Sequence, residues 1–205
     1  MDPHQIRSLD ELDALFDAPG EAAIKKEVDH LVPVYRRLIE ASPFYVMATE
    51  GADGLDCSPR GDPAGFVKVL DEHHIALPER RGNNRVDSLR NLVEDPRIGL
   101  LFLIPGKGET LRVNGRARIT TDPALMEQTA MRGKPPRCVI VVEIETVFFQ
   151  CARALLRARL WDAESRALAD DTPTAGEMLA GVPESDIDGA AYDDGLDERQ
   201  ERTLY

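Results

Sequence analysis

Four arginines fall within RRGNNRVDSLRNL, the stretch from Arg80 to Leu92, around a Gly-Asn-Asn turn. Guanidinium groups grip phosphate oxygens in bidentate fashion. A helix start adds free N–H groups and the positive end of a dipole. The spacing predicts such a start here, with Asn84 as N-cap, Asp87 at the third helical position, and Leu89, Leu92 and Val93 on the core face. Arg85 and Ser88, three residues apart, share a side at that terminus. Asn83, Asn84, Arg85 and Ser88 are therefore a candidate anion site; the alternative is an arginine-rich turn that only solvates a rim. Arg80 and Arg81 read as supporting charge, and Arg90 as facing solvent or an acidic neighbour.

Two further stretches carry candidate chemistry. In CSPRGDPAGFVKV, Ser58 and Arg60 flank a proline just before a tight Gly61-Asp62-Pro63 turn, which taken alone reads as an ordinary loop between strands. In CARALLRARLWD, the single tryptophan, Trp161, follows Arg153, Arg157 and Arg159. Spacing leaves that segment open between a solvated basic helix and a ligand contact. The four histidines make no HxxxH or HExxH pattern, and Cys57, Cys138 and Cys151 make no CxxC, so no metal site is expected. Reduced thiols and a cytoplasmic location are the expectation.

Charge is distributed unevenly. The chain has 205 residues and a formal net charge of -12. Residues 80–118 nevertheless carry nine Lys and Arg against four Asp and Glu, and residues 132–159 carry six against two. The flanks are strongly acidic, with seven against sixteen in residues 1–79 and three against thirteen in residues 160–205. A broad nucleic-acid surface makes a whole domain basic and uses aromatic platforms, whereas aromatics here are 5%. A small local anion fits better. No apolar run approaches the roughly 18 residues of a membrane span, and MDPHQIRSLDELDALF lacks the basic start and apolar stretch of a secretory signal.

The elements that must position these residues follow from periodicity. Ser8 with Glu11 three residues on has capping-box spacing before Leu9, Leu12 and Phe16. A second helix is predicted from about Glu21 to Ala41, kinked or broken at Pro33. Six β-rich runs follow: FYVMATE, GFVKVLD, HHIALPE, IGLLFLI, TLRVNGRARIT and CVIVVEIETVFF. Their spacing suggests an antiparallel barrel or sandwich. GADGLD reads as a hairpin turn leading to CSPRGD. Helices over Asp87–Glu94 and Asp122–Met131 interrupt the strands, and TAGEMLAG is a short helix in the acidic end. The chain thus divides into an N-terminal helical segment (1–42), a β domain (43–162) and an acidic C-terminal extension (163–205).

Taken together, SPRGDP, GNNRVDSLRNL, DPRIGLLFLIPG and ETLRVNGRA resemble the pyridoxamine 5'-phosphate oxidase-like FMN-binding split-barrel family, over about residues 43–162. The resemblance implies a mainly β, α+β fold: a six-stranded antiparallel split β-barrel with flanking helices. It also implies a homodimer with FMN at the interface and a small-molecule substrate, without nucleic-acid or membrane partners. Asn83, Asn84, Arg85 and Ser88 match the phosphate-gripping segment, and Ser58 and Arg60 match the strand end that reaches the phosphate and flavin edge. Thr110, Leu111 and Arg112 fall on the strand that borders the flavin ring. Arg112 or Lys134 is implied to lie near the flavin N1–C2=O edge, and Arg157 and Trp161 resemble residues that cover the flavin from the partner chain.

The chain departs from the authentic oxidases at two places. Their R-x-V-L-L-K strand reads GFVKVL here, and their substrate-contacting Arg-x-x-Arg-Leu ending reads ERQERTLY. FMN binding without the vitamin B6 substrate pocket is the resulting expectation, as an FMN-dependent oxidoreductase. The alternatives are a deazaflavin F420 or haem protein on the same barrel, a non-catalytic flavin module, and a dimer without cofactor.

Overall fold

The computed structural model describes residue 2 and residues 4–205. Three helices open the chain: α1 (Leu9–Asp13), α2 (Glu21–Lys25) and α3 (Pro33–Ala41). Ser8 caps α1, its hydroxyl accepting the Glu11 N–H at 3.2 Å. Glu11 bonds the Arg7 N–H rather than that of Ser8, so the capping box is only half formed. Pro33 breaks the long helix anticipated from Glu21 to Ala41 and takes the first helical position of α3, where its missing N–H costs nothing. Between α2 and α3 the backbone runs extended enough for Val28 to bridge Val147. Helix α3 turns Tyr35 and Ile39 into the core, whereas α1 and α2 bury no residue.

Seven strands follow, not six: β1 (Phe44–Gly51), β2 (Gly54–Gly61), β3 (Lys68–Val69), β4 (His74–Glu79), β5 (Arg97–Leu103), β6 (Thr110–Thr120) and β7 (Cys138–Gln150). All pairings are antiparallel, in the order β2-β1-β5-β6-β7-β4-β3. Among the described residues β2 and β3 do not pair with each other, so the ladder is open rather than a closed barrel. The additional strand is β2, GLDCSPRG. Its sequence is polar and contains Pro59, so it carries no alternating apolar signal. It lies at the sheet edge, where a missing N–H is tolerated, and register with β1 (Met47 opposite Ser58, Tyr45 opposite Arg60) holds it. GFVKVLD contributes only the two-residue β3.

The core lies along the inward positions of β1, β5, β6 and β7 and against α3. Tyr45, Met47, Leu100, Phe102, Leu111, Val113 and Val147 are all buried there. Each such side chain contributes about 1.5–3 kcal/mol by burial. Gly115 marks a bulge where β6 shifts register against β7; a Cβ at this position would meet the Glu143 carbonyl oxygen. Helix α4 spans Asp87–Glu94 as its periodicity predicted, α5 is Pro123–Gln128 with Asp122 as cap, and α6 is Arg153–Ala158. A 3-10 segment (Ala163–Ala169) leads to α7 (Ala175–Ala180), α8 (Gly189–Asp193) and α9 (Leu196–Arg202). Thr174 and Glu177 form a complete capping box on α7.

Candidate functional site

A cleft of ≈490 Å³ lies between the edge strand β2, the end of β4, and the loop 80–86 that enters α4. Six of the residues singled out in the sequence meet on its walls: Ser58, Arg60, Asn83, Asn84, Arg85 and Ser88. Phe66, Pro59, Pro78 and Leu89 give it apolar surface. Behind Phe66 stands Tyr45, with ring centroids 5.7 Å apart and nearly parallel planes. Complete burial pushes the Tyr45 phenol well above its ordinary pKa, so this floor is fixed, neutral packing.

The helix start differs from the one the spacing suggested. Asn84 is not the cap; Val86 is, and Asp87 is the first helical residue rather than the third. Both Asn84 (φ 61°) and Val86 (φ 55°) are left-handed, which breaks the regular run from Asn84 into the helix. The Asn83 side-chain oxygen accepts the Arg85 N–H at 3.1 Å and closes a local turn in place of a cap. Val86 supplies no side-chain acceptor, so the first N–H groups of α4 keep their hydrogen-bonding capacity at the cleft edge. A β-branched residue in the left-handed region holds about 1–3 kcal/mol of strain.

On the inner wall, β2 meets α4 through hydroxyls. The Ser58 and Ser88 oxygens lie 2.8 Å apart. Both also contact Oδ2 of Asp56, Ser58 at 3.0 Å and Ser88 more closely, so the two hydroxyl protons are shared among three oxygen–oxygen contacts. Arg60 donates from Nη1 to Ser58 Oγ at 3.0 Å and from Nε to Glu79 Oε2 at 3.0 Å, tying the end of β2 to the end of β4. Ser88 is only 2% exposed.

Five arginines line the cleft, facing Asp56, Glu79 and Asp87. Arg60 is paired to Glu79, and Arg80 to Asp62 at 2.6 Å and to the Thr129 carbonyl at 2.9 Å. Arg80 is thus a structural cation, more enclosed than its sequence context suggested. Arg85 pairs with Asp87 at 2.8 Å; that hydrogen bond and the adjacent carboxylate raise its pKa further, yet its side chain is 74% exposed. Arg81 and Arg137 have no side-chain hydrogen bond or ion pair among the described residues, and both line the cleft. Arg137 went unnoticed in the sequence because it lies more than fifty positions away from Arg80. Its N–H donates to the Glu79 carbonyl at 2.9 Å just before β7 pairs with β4, and this brings it to the site. The one signal in the sequence was its place directly after Pro135-Pro136, at the mouth of a strand.

The other singled-out residues lie elsewhere. Lys134 lines an adjoining cavity of ≈250 Å³ with Arg80, Arg81, Arg137 and Tyr205, and donates to the Tyr205 main-chain oxygen at 3.0 Å. Tyr205 in turn donates its hydroxyl to Asp62. Leu111 is buried in the core on the inward face of β6, to 1% exposure; Thr110 is buried at the start of the strand on the other face, and Arg112 lies exposed over the Phe148 ring. Arg157 is exposed on α6, and Trp161 donates its indole N–H to the Lys107 carbonyl at 2.8 Å. None of these six singled-out residues lines the cleft.

A family model described as pyridoxamine 5'-phosphate oxidase matches residues 31–151. Among solved structures the chain is similar to HupZ of Group A Streptococcus, with 18% identity, 59% of this chain and 94% of that chain covered, and a TM-score of 0.49. An F420 reductase is 18% identical over 58% of this chain and 98% of its own, with a TM-score of 0.43. An FMN-binding protein from Syntrophomonas wolfei is 10% identical over 56% and 86%, with a TM-score of 0.41. No curated protein matches the sequence. Among the described residues no helix is long and apolar enough to cross a membrane, and no group of metal-ligating side chains is assembled.

Proposed function

The chain belongs to the pyridoxamine 5'-phosphate oxidase family, and from that premise we propose that it binds FMN in the arginine-lined cleft and acts as an FMN-dependent oxidoreductase. The observation that carries the reading is the pair Arg81 and Arg137, two guanidiniums without a hydrogen-bond or ion-pair partner among the described residues, on the wall of a cleft that also holds Arg85 and the start of α4. This donor set suits a phosphate dianion, which needs several convergent N–H groups. Asn83 and Asn84 lie on the same loop and complete the phosphate end, while Ser58, Arg60 and Ser88 form the wall beneath it.

FMN, when bound, supplies the redox chemistry through its ring system. The chain's own part is to neutralise the phosphate, orient the cofactor and keep water from one side of it. Arg112, Arg157 and Trp161 are exposed off the cleft, so in this reading they meet the flavin of a second copy in a homodimer, whereas Thr110 and Leu111 are buried on β6 and support that face from within. The exposed apolar side chains of Phe149, Leu156, Leu160 and Trp161 around them favour a protein-covered face. Haem is the weaker reading, because no histidine, cysteine or tyrosine lines the cleft to serve as an axial ligand.

Titration of the purified chain with FMN, followed by flavin fluorescence, tests the proposal. One FMN bound per chain, with visible absorbance that bleaches on dithionite, is the expected result. A chain that neither retains FMN through purification nor takes it up afterwards overturns the reading.

A further inference from the structure

The acidic extension folds on itself. The Thr174 hydroxyl and the Gly176 N–H both donate to Asp193. Helix α7 meets α8 backbone to backbone, where a Cβ on Gly176 or Gly189 would strike the other's carbonyl oxygen. Among the described residues, none from 166 to 204 hydrogen-bonds the β domain, and Tyr205 alone ties the segment to it. The Tyr205 hydroxyl donates to Asp62 Oδ1 at 2.6 Å, and Lys134 donates to its main-chain oxygen at 3.0 Å. The guanidiniums of Arg132 and Arg80 stand 4.8 and 6.0 Å from its ring centroid.

The seat for this side chain is built into the β domain. Asp62 is 2% exposed at its side chain and holds Arg80 through its other oxygen. Arg132 and Gly133, both left-handed, make the two-residue turn between the paired Met131 and Lys134. The Asp62 hydrogen bond is the largest cause raising the Tyr205 pKa, so the phenol stays the donor. Tyr205 lines the ≈250 Å³ cavity with Arg80, Arg81, Lys134 and Arg137, and the three arginines line the cleft as well. A segment with three basic against thirteen acidic residues (160–205) is thus moored beside the cations that an anion in the cleft would use.

We propose that Tyr205 is a releasable latch and the acidic segment an autoinhibitory strap, which when seated engages Lys134 and holds negative charge at the arginine rim. An anion gains the full strength of the cleft only after Tyr205 has left Asp62. The inference rests on reading the cleft as an anion site. One charged hydrogen bond and a few ring contacts hold the latch, so it opens locally without unfolding the sheet. A strap seated in about nine chains of ten costs an anion about tenfold in apparent affinity.

Hydrogen exchange of the full chain, read by mass spectrometry over α9, and fluorescence titration with FMN test this together. Tyr205→Ala is expected to exchange about tenfold faster over α9 and to bind FMN about tenfold tighter, since one equilibrium governs both. Tyr205→Phe keeps the ring and loses the donor, and should fall between the two chains. Saturating FMN should by itself speed exchange over α9 of the unaltered chain; slower exchange overturns the proposal. Unchanged exchange in Tyr205→Ala removes the latch, and faster exchange with FMN bound no tighter removes the inhibition. FMN bound equally by both chains keeps the cofactor and loses the strap. Where neither chain takes FMN, inorganic pyrophosphate is the probe: tighter binding to Tyr205→Ala keeps the strap and loses the cofactor, and binding to neither chain overturns both.

Discussion

Ser58 and Ser88, thirty positions apart in the chain, place their hydroxyl oxygens 2.8 Å from each other. One stands on the edge strand β2 and the other in the first turn of α4. Asp56 draws both toward it, so a single carboxylate fixes the strand to the helix at the candidate site.

Ser88→Ala should therefore destabilise the protein by about 1–3 kcal/mol, because a part-buried carboxylate oxygen and the Arg60 guanidinium each lose a partner. Urea unfolding monitored by circular dichroism checks this. A change near zero would mean that water replaces the hydroxyl without loss.

Arg137→Ala removes a cation from the cleft wall and breaks no side-chain hydrogen bond or ion pair among the described residues. FMN affinity should fall by about 1.5–3 kcal/mol with thermal stability unchanged or slightly higher. Arg85→Ala should weaken FMN within the same range, although this guanidinium must first leave Asp87. Fluorescence titration of both variants gives the ranking, and Arg137 is expected to matter more.

Val86→Gly relieves a β-branched residue of left-handed backbone at φ 55°. Val86 is exposed, so little packing is lost with the side chain. The expected outcome is a stability gain of about 1 kcal/mol, reduced by the greater freedom of glycine in the unfolded chain. FMN affinity should drop at the same time, because the loop between Arg81 and Ser88 is then less ordered before binding. Unfolding and binding measured on the same preparation separate the two effects.

Asp95 closes α4, and its carboxylate accepts from the Arg97 guanidinium and the Arg97 N–H. The Arg97 side-chain hydrogen bond is the largest cause holding its pKa at about 2, below the ordinary 3.8. A depressed carboxylate pKa contributes stability that is complete above the ordinary value and is lost as pH falls through the folded one. The acid limb of the stability profile should therefore steepen between about pH 4 and 2, and Asp95→Asn should flatten it in that window by lowering the plateau above about pH 4, the two proteins converging at the acid end. Thermal melts across this range, for both proteins, provide the comparison.

Elements with a local cause were legible in the sequence. Helix α4 runs over the predicted Asp87–Glu94, since apolar spacing and Asp95-Pro96 define it within its own residues. Ser8, Asp122 and Thr174 each cap the helix that follows them, again by contacts within a few positions. Where the cause is distant, the reading failed. Strand β2 is polar and contains a proline, so only its pairing with β1 makes it a strand. Asn84 has the composition of a cap, but the left-handed turn through Asn84 and Val86 moves the helix start past it.

The site divides along the same line. Sequence alone determined that an arginine-rich turn and a helix start stand together, because those residues are adjacent in the chain and the family pattern runs through them. Tertiary structure decided what each charge does. Arg60 is held by Glu79 from β4, Arg80 by Asp62, and the serines by Asp56, and these pairings leave Arg81 and the remote Arg137 without ion-pair partners among the described residues. The physical reason is that a guanidinium is available to a ligand only if no carboxylate reaches it first. Which carboxylates reach it depends on strand register and loop path, and neither is written in the spacing of the arginines.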